Sequence, residues 1–379
     1  AQLNPMEPIP ADKDVRTGKL ENGMTYYIRH NEKPKGQADF HILHDVGAIQ
    51  ENDAQQGLAL FLEHMSFNGT KNLPGKQMIE YLDKVGVKFG ANLNAGTSWD
   101  MTSYMMKDVP TSREGIIDSA LLILHDWSHF VALQPEDIER GVTLEELRTR
   151  DNASWRSTMK MLQALGKGTK YEHRNLIGYL DGLKGFQHKE LEDFYNTWYR
   201  PDYQADVIVG DNDVDAVENK LKTLMSDIPA PAAVAAQKEV ITVPDNEEPI
   251  VSIYTDPEMQ GSRVQVFVKR PAVPEQYNNL VYGEMLDVVQ AYMTTMENAR
   301  LQEISMQPDA PFLGAGMNSG SIGVIPTLAA TTFVAMTQDG KLTQGFEALY
   351  TEMEKVRRHG FTQGEFCLLY TSDAADDLL

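Results

Sequence analysis

The sequence has a single cysteine, Cys367, and no dense cluster of basic residues anywhere along its 379 positions. One cysteine excludes a disulfide within the chain. Acidic residues outnumber basic ones by 55 to 34, and the resulting net charge of −21 disfavours nucleic acid as a partner. No apolar run approaches the ~18 residues that a membrane-spanning helix needs. The sequence therefore predicts neither nucleic-acid binding nor a membrane span.

The first residues, AQLNP, contain neither an initiator methionine nor a charged and then apolar leader. This start is typical of a mature chain after removal of a signal peptide. It predicts an extracytoplasmic, periplasmic location. A clone that begins at an arbitrary codon is the alternative explanation.

The length exceeds the ~250 to 300 residues at which one hydrophobic core usually divides, so we expect two domains. A strand, strand, helix order is predicted early in the chain and again after the Pro- and Ala-rich segment 229–233. We predict an α+β fold of two similar units, each a mainly antiparallel sheet packed with helices, with domains at 1–235 and 236–366. The predicted elements are strands at 25–30, 38–45, 250–254 and 263–269 and helices from Gly57, Lys76, Ser112, Pro135, Val214 and Tyr277.

Two further segments carry separate expectations. Residues 367–379, CLLYTSDAADDLL, fit neither unit and resemble translated sequencing-adapter DNA, so we predict a non-native tail. An ordinary frayed C-terminus is the alternative. The glycine-rich segment 314–323 is not followed by Gly-Lys-Ser or Gly-Lys-Thr, so it predicts a turn between strands and not a phosphate loop.

The helix predicted from Gly57 carries Glu63 and His64 in the frame of the inverted zinc motif H-x-x-E-H, with Leu60 at the first histidine position. In the intact motif the two histidines lie one turn apart on one helix face, and the glutamate beside them acts on a metal-bound water. A Glu-His pair alone is a common accident. The surrounding residues decide the interpretation.

Residues 57–70, GLALFLEHMSFNGT, closely resemble the signature G-L-A-H-F-L-E-H-M-x-F-N-G-T of the M16 (pitrilysin/insulinase-type) zinc metallopeptidases. Thirteen of these fourteen positions agree when the free position is counted as a match. The resemblance continues through 71–75, 86–90 and 92–95 and spans roughly residues 15–366. It implies the N-terminal half of an M16 protein, with its second domain incomplete.

The resemblance also implies roles for individual residues. Glu63 maps to the catalytic base and His64 to a zinc ligand. The segment 139–146, ERGVTLEE, matches the family pattern E-R-x-x-x-x-x-E. Glu146 therefore maps to the last zinc ligand and Glu139 to a carboxylate that supports it.

The segment 94–97, NAGT, is similar to the family segment on which the substrate strand pairs, at Asn94 and Ala95. Strand addition of this kind tolerates many sequences because main-chain hydrogen bonds provide much of the affinity. The resemblance thus implies a peptide or an unfolded polypeptide as substrate and Zn²⁺ as cofactor.

Leu60 offers no lone pair to a metal. Because two ligands remain of three, zinc affinity is expected to fall by more than the ~10 to 100-fold that losing a supporting partner costs. Replacement of the missing ligand by His41 or His44 is not expected, since a metal ligand must be placed closely. The other histidines, among them His125 and His129, are expected to be structural. A misread codon 60 is the alternative explanation of Leu60.

Two functions follow from these observations. The chain is a homologue of the M16 zinc metalloendopeptidases, impaired or inactive because a zinc ligand is lost. Alternatively, it is a non-catalytic polypeptide-binding subunit that forms a chamber with an active partner. In both cases the expected partner is a C-terminal M16 half or a separate subunit, and zinc content distinguishes the two.

Overall fold

The structure is a computed structural model, which describes residues 3–133 and 137–376, without the side chains of 137–139 and 370–376. The chain divides into two compact units. One, which we call the motif unit, comprises Ala11–Trp155 and Thr169–Val240. The other, which we call the second unit, comprises Ala1–Pro10, Arg156–Gly168 and Ile241–Leu379.

The motif unit contains one six-stranded sheet and most of the described helices. Its strands in chain order are β1 (Val15–Lys19), β2 (Thr25–His30), β3 (Gln37–His44), β4 (Leu93–Thr97), β5 (Thr102–Pro110) and β6 (Gln204–Gly210). The helices up to residue 225 are α1 (Leu58–Met65), α2 (Gln77–Lys84), α3 (Ile116–His129), α4 (Asp137–Arg150), α5 (Ala153–Leu165), α6 (Leu180–Gly185), α7 (His188–Trp198) and α8 (Val214–Met225). Most of α5 belongs to the second unit.

The sheet has the strand order β1-β2-β6-β3-β5-β4. Only β2 and β6 pair in parallel, and the other neighbours are antiparallel. Strands β3 and β6 alternate buried and partly exposed residues, as expected of a sheet with one face on the core. That core includes Phe40, Tyr104 and Trp127, each fully buried. The order leaves β4 at one edge of the sheet.

The second unit contains a three-stranded antiparallel sheet of order β7-β9-β8. Its elements are β7 (Ser262–Pro271), α9 (Val281–Ser305), β8 (Gly314–Ser321), β9 (Leu328–Thr337), α10 (Leu342–His359) and α11 (Gln363–Asp376). A small core forms around Leu301, Phe333 and Leu349. No described helix in either unit is both long enough and apolar enough to cross a membrane.

The predicted α+β fold class is confirmed, whereas two predicted elements are wrong. Residues 250–254 form no strand: Val251 and Ile253 are 80% and 78% exposed. The segment has the apolar alternation of a strand, but no described strand pairs with it. The glycine-rich segment predicted as a turn is mostly strand β8, whose residues Gly314 to Ser321 all pair with β9. The helix start predicted at Pro135 lies outside the described residues, and the predicted domain limits stay a prediction.

Candidate functional site

Helix α1 begins at a fixed point because its first turn is held by a buried carboxylate. Glu51 accepts hydrogen bonds from the backbone N–H groups of Gly57 and Ala59, at 3.0 and 2.9 Å. These are donors that the start of a helix leaves without a partner. Gly57 has φ 93°, and a Cβ there would lie 2.5 Å from the carbonyl oxygen of Ile177. The start of the motif therefore requires glycine.

The predicted ligands His64 and Glu146 meet directly. His64 on α1 donates from Nε2 to Glu146 Oε2 on α4 at 2.7 Å, and the two helices pack together here. Arg150, one turn further along α4, lies 2.7 Å from Glu146 Oε1. The hydrogen bond from His64, with the charges of Arg150 and His64, keeps the pKa of Glu146 below its usual value despite partial burial. Glu146 is thus an anion flanked by two nitrogen donors.

Glu63, the predicted base, lies beside this pair. It is 8% exposed, and its Oε2 accepts a 2.6 Å hydrogen bond from the hydroxyl of Thr97 on β4. Burial raises the pKa of Glu63, while the bond from Thr97 and the charge of His64 oppose the rise. A buried carboxyl group beside the two predicted ligands is placed where a base could act on a bound water.

Leu60 lies one turn before His64 and is only 3% exposed. It forms a separate apolar cluster with Ile177 and Leu183. The side chains of Leu144, Leu147 and Trp155 pack against this cluster. Burying a leucine in this way stabilises a protein by about 1.5 to 3 kcal/mol. The residue at the missing ligand position therefore has a packing role.

The described residues do not provide the three ligands of a zinc site. His64 and Glu146 supply two donors, Leu60 supplies none, and Glu63 is engaged with Thr97. Among the described residues, one group of three side chains could share a metal ion. It contains none of Leu60, Glu63, His64 and Glu146. The side chain of Glu139, the predicted supporting carboxylate, lies outside the description.

The strand histidines considered as replacement ligands do not reach the site. His44 is fully buried, and its ring lies 4.3 Å from that of Tyr199. Burial lowers its pKa to about 3, so it is neutral. His41 is on the same strand, and neither histidine lines the cleft formed by Glu63, His64 and Glu146.

Strand β4, with the predicted substrate-binding residues, borders the same cleft, and its hydrogen bonds to β5 alternate. Lys107 N donates to Asn92 O at 2.9 Å, and Ser98 N donates to Met101 O at 2.7 Å. In an antiparallel pair every second residue exchanges such bonds. The backbone N–H and C=O groups of residues 92, 94, 96 and 98 therefore face β5, whereas those of residues 95 and 97 face the other way.

On that other side β4 has no neighbouring strand among the described residues. The N–H of Ala95 donates there to the side chain of the preceding Asn94, at 2.9 Å. Ala95 and Thr97 consequently present backbone donors and acceptors at an open edge, which is the feature that an added peptide strand needs.

The cleft between β4, α1 and α4 has a volume of about 820 Å³. Its lining includes the polar groups of Glu63, His64 and Glu146 and the aromatic side chains of Phe67 and Phe89. Phe89 is 57% exposed and stacks edge-on against Phe67. The cleft can therefore receive an extended chain with an apolar side chain beside the carboxylates.

Sequence reasoning missed two polar side chains of the site. Arg150 was four residues from Glu146 on a predicted helix, a spacing that predicts a side-chain pair. Thr97 is part of the segment NAGT, but no contact was predicted for its side chain. Its bond to Glu63 depends on the packing of α1 against β4, which the sequence does not specify.

Comparison with known proteins identifies the family of the chain. The family model "Insulinase (Peptidase family M16)" matches residues 26–178, and the model "Peptidase M16 inactive domain" matches residues 185–367. The chain belongs to peptidase family M16. The predicted family and the two M16-type domains are thereby confirmed.

Among M16 relatives, the chain is 29% identical over 361 residues to "Probable zinc protease PqqL" of Escherichia coli strain K12, covering 94% of this chain and 38% of that protein. It is 31% identical over 317 residues to "Zinc protease PQQL-like" of Arabidopsis thaliana, covering 83% of this chain and 32% of that protein. The chain thus spans well under half the length of these relatives.

Solved structures show the same M16 fold. The crystal structure of the first half of the periplasmic protease PqqL from Escherichia coli superposes with a TM-score of 0.85 at 28% identity, covering 97% of this chain and 77% of that one. Pitrilysin superposes with a TM-score of 0.64 at 20% identity, covering 96% of this chain and 39% of that one, a likeness that concerns the fold alone.

Proposed function

We propose that this chain is an M16-type polypeptide-binding unit whose zinc site lacks one ligand, so that it is impaired or inactive as a metalloendopeptidase. The observation that carries the proposal is Leu60. It occupies the position of a metal ligand and is packed into an apolar cluster with Ile177 and Leu183. The remaining donors, His64 and Glu146, bond to each other at 2.7 Å.

Binding of polypeptide rests on features that Leu60 leaves intact. The open edge of β4 offers the backbone groups of Ala95 and Thr97 beside a cleft of about 820 Å³. An extended peptide that pairs with this edge gains main-chain hydrogen bonds whatever its sequence. We therefore propose unfolded or extended polypeptides as ligands, held across Glu63.

The second candidate function is zinc-dependent hydrolysis, and one observation favours it. Glu63, His64 and Glu146 all line one cleft, and burial raises the pKa of Glu63 above its usual value. Bound zinc would supply an activated water there. This function requires a third ligand that the described residues do not provide.

We further propose that the unit works together with another M16 half, either the remainder of a longer chain or a separate subunit. The relatives are more than twice as long, since the chain spans 38% of the E. coli protein and 32% of the A. thaliana protein. One solved relative is described as a periplasmic protease, and we propose a periplasmic location for this protein as well.

Binding without cleavage tests the proposed function. A fluorescent, unstructured peptide should show a saturable rise in anisotropy with the chain, and mass spectrometry after long incubation with added zinc should find it intact. The matched control is Glu63→Gln, which removes the base and leaves the edge of β4 in place. Zinc-dependent cleavage by the unmodified chain that Glu63→Gln abolishes would establish the peptidase function instead.

A further inference from the structure

A second group of polar side chains lies where two neighbouring strands end together. Strands β2 and β6 run parallel, pairing from Thr25 with Ala205 to His30 with Gly210. Because the carboxyl ends of parallel neighbours meet at one edge of a sheet, the residues that follow them are brought together. Those residues include Glu32 after β2 and Asp211 after β6.

The imidazole of His30 is oriented by the backbone. Its Nδ1 lies 2.8 Å from the carbonyl oxygen of Asn212, which can only accept, so Nδ1 carries a proton. Its Nε2 lies 3.3 Å from Glu32 Oε1, which also accepts, so without a metal ion Nε2 donates this hydrogen bond. A bound metal ion would replace that proton between the two atoms. Two ligands of a tetrahedral zinc ion, each about 2.0 to 2.2 Å from the metal, lie about 3.3 Å apart.

Asp211 completes the group and is itself held in place. Its Oδ2 accepts a 2.7 Å hydrogen bond from the N–H of Gly36, and further lone pairs of the carboxylate stay available. One ligand atom from each of His30, Glu32 and Asp211 lies within 4.8 Å of the others. Outer hydrogen bonds on the imidazole and on a carboxylate are the usual support of metal ligands.

We propose that His30, Glu32 and Asp211 bind a divalent transition-metal ion of the zinc type. One imidazole nitrogen and two carboxylate oxygens suit such an ion, whereas calcium and magnesium prefer oxygen ligands alone. Both His30 and Glu32 are exposed, so solvent can reach the group and water can complete the coordination. The bound ion links the ends of β2 and β6.

This site is separate from the cleft at His64. Strand β2 is four steps from β4 across the sheet, through β6, β3 and β5. At about 4.8 Å per step the separation is about 19 Å. Zinc bound at His30 can therefore be distinguished from zinc bound at His64 by substitution of one histidine or the other.

The chain supplies a matched control in His188 and Glu192. Their Nε2 and Oε1 atoms are also 3.3 Å apart, on helix α7. Among the described residues, however, no group of three potential ligands contains His188. The control therefore distinguishes zinc binding by any surface His-Glu pair from zinc binding that needs a third ligand.

The experiment is equilibrium dialysis of the chelator-stripped chain against micromolar zinc, with bound metal measured by mass spectrometry. We expect His30→Gln and Asp211→Asn each to lose about one zinc per molecule relative to the unmodified chain, and His188→Gln to lose none. Glu32→Gln changes a side chain that is 59% exposed, and it should lose the same zinc. Excess calcium or magnesium should not displace the metal.

Unchanged zinc uptake in both His30→Gln and Glu32→Gln would overturn the proposal. So would the absence of any zinc uptake by the unmodified chain, or an equal loss in His188→Gln. Displacement of zinc by calcium would also contradict it, because the imidazole would then not be a ligand. Circular dichroism of each variant confirms that a loss of metal is not a loss of fold.

Discussion

Replacing Leu60 with histidine should raise the zinc bound at the M16 motif from none to about one per molecule. Position 60 lies one turn before His64 on α1, so the new imidazole faces the same side of the helix. His64 Nε2 and Glu146 Oε2, now 2.7 Å apart, need to separate only to the ~3.3 Å spacing of two zinc ligands. The measurement is metal content in a His30→Gln background, which removes the other proposed site.

The same substitution should destabilise the metal-free protein. It places a polar ring among Ile177, Leu183 and the apolar side chains around them, at an expected cost of about 1 to 3 kcal/mol. Zinc should restore that stability because it binds the folded state. Thermal unfolding with and without zinc measures both effects.

Leu60→Gln is the matched control for this substitution. It should be destabilised to a similar extent and gain nothing from zinc, since its amide is a poor zinc ligand. If Leu60→His folds but takes up no more zinc than Leu60→Gln, helix α1 does not present positions 60 and 64 toward Glu146. The proposed origin of the incomplete site would then be wrong.

Replacing Ala95 with proline should weaken peptide binding by about tenfold or more. The N–H of Ala95 faces away from β5, so proline removes a donor from the open edge and leaves the ladder to β5 intact. Proline is tolerated on an edge strand at such a position. The loss of a main-chain hydrogen bond, with steric interference from the ring, accounts for about 1.4 kcal/mol or more.

The matched control is Ala95→Val, which adds a side chain and keeps the backbone N–H. Anisotropy titration of the same labelled peptide should give an affinity within a few-fold of the unmodified chain for valine and a large loss for proline. Unfolding measurements establish that both variants keep their fold. Equal affinities for the proline and valine variants would mean that peptide does not pair with β4 through this residue.

The sequence predicted the helix of the motif and the helix bearing Glu146 from their local patterns, and the resemblance to M16 proteins singled out Asn94 and Ala95. It did not predict that Leu60 contacts Ile177 and Leu183, which follow it by more than a hundred positions. Such contacts depend on tertiary packing and leave no local periodicity.

The wrong predictions at 250–254 and 314–323 share one cause, the presence or absence of a pairing strand. Residues 250–254 have the alternation of a strand, but a strand forms only where a neighbour completes its hydrogen bonds. The segment 314–321 has glycines that disfavour a strand, yet β9 pairs with every residue of it. Pairing partners thus override strand propensity in both directions.

Zinc held by His64 is the most direct measure of whether Leu60 has disabled the M16 site. The unmodified sequence and its His64→Gln variant, both in the His30→Gln background, can be stripped with chelator and dialysed against the same zinc buffer. We predict equal zinc content, because His64 and Glu146 bond to each other and lack a third ligand among the described residues. Loss of about one zinc per molecule in the His64→Gln variant would contradict this account.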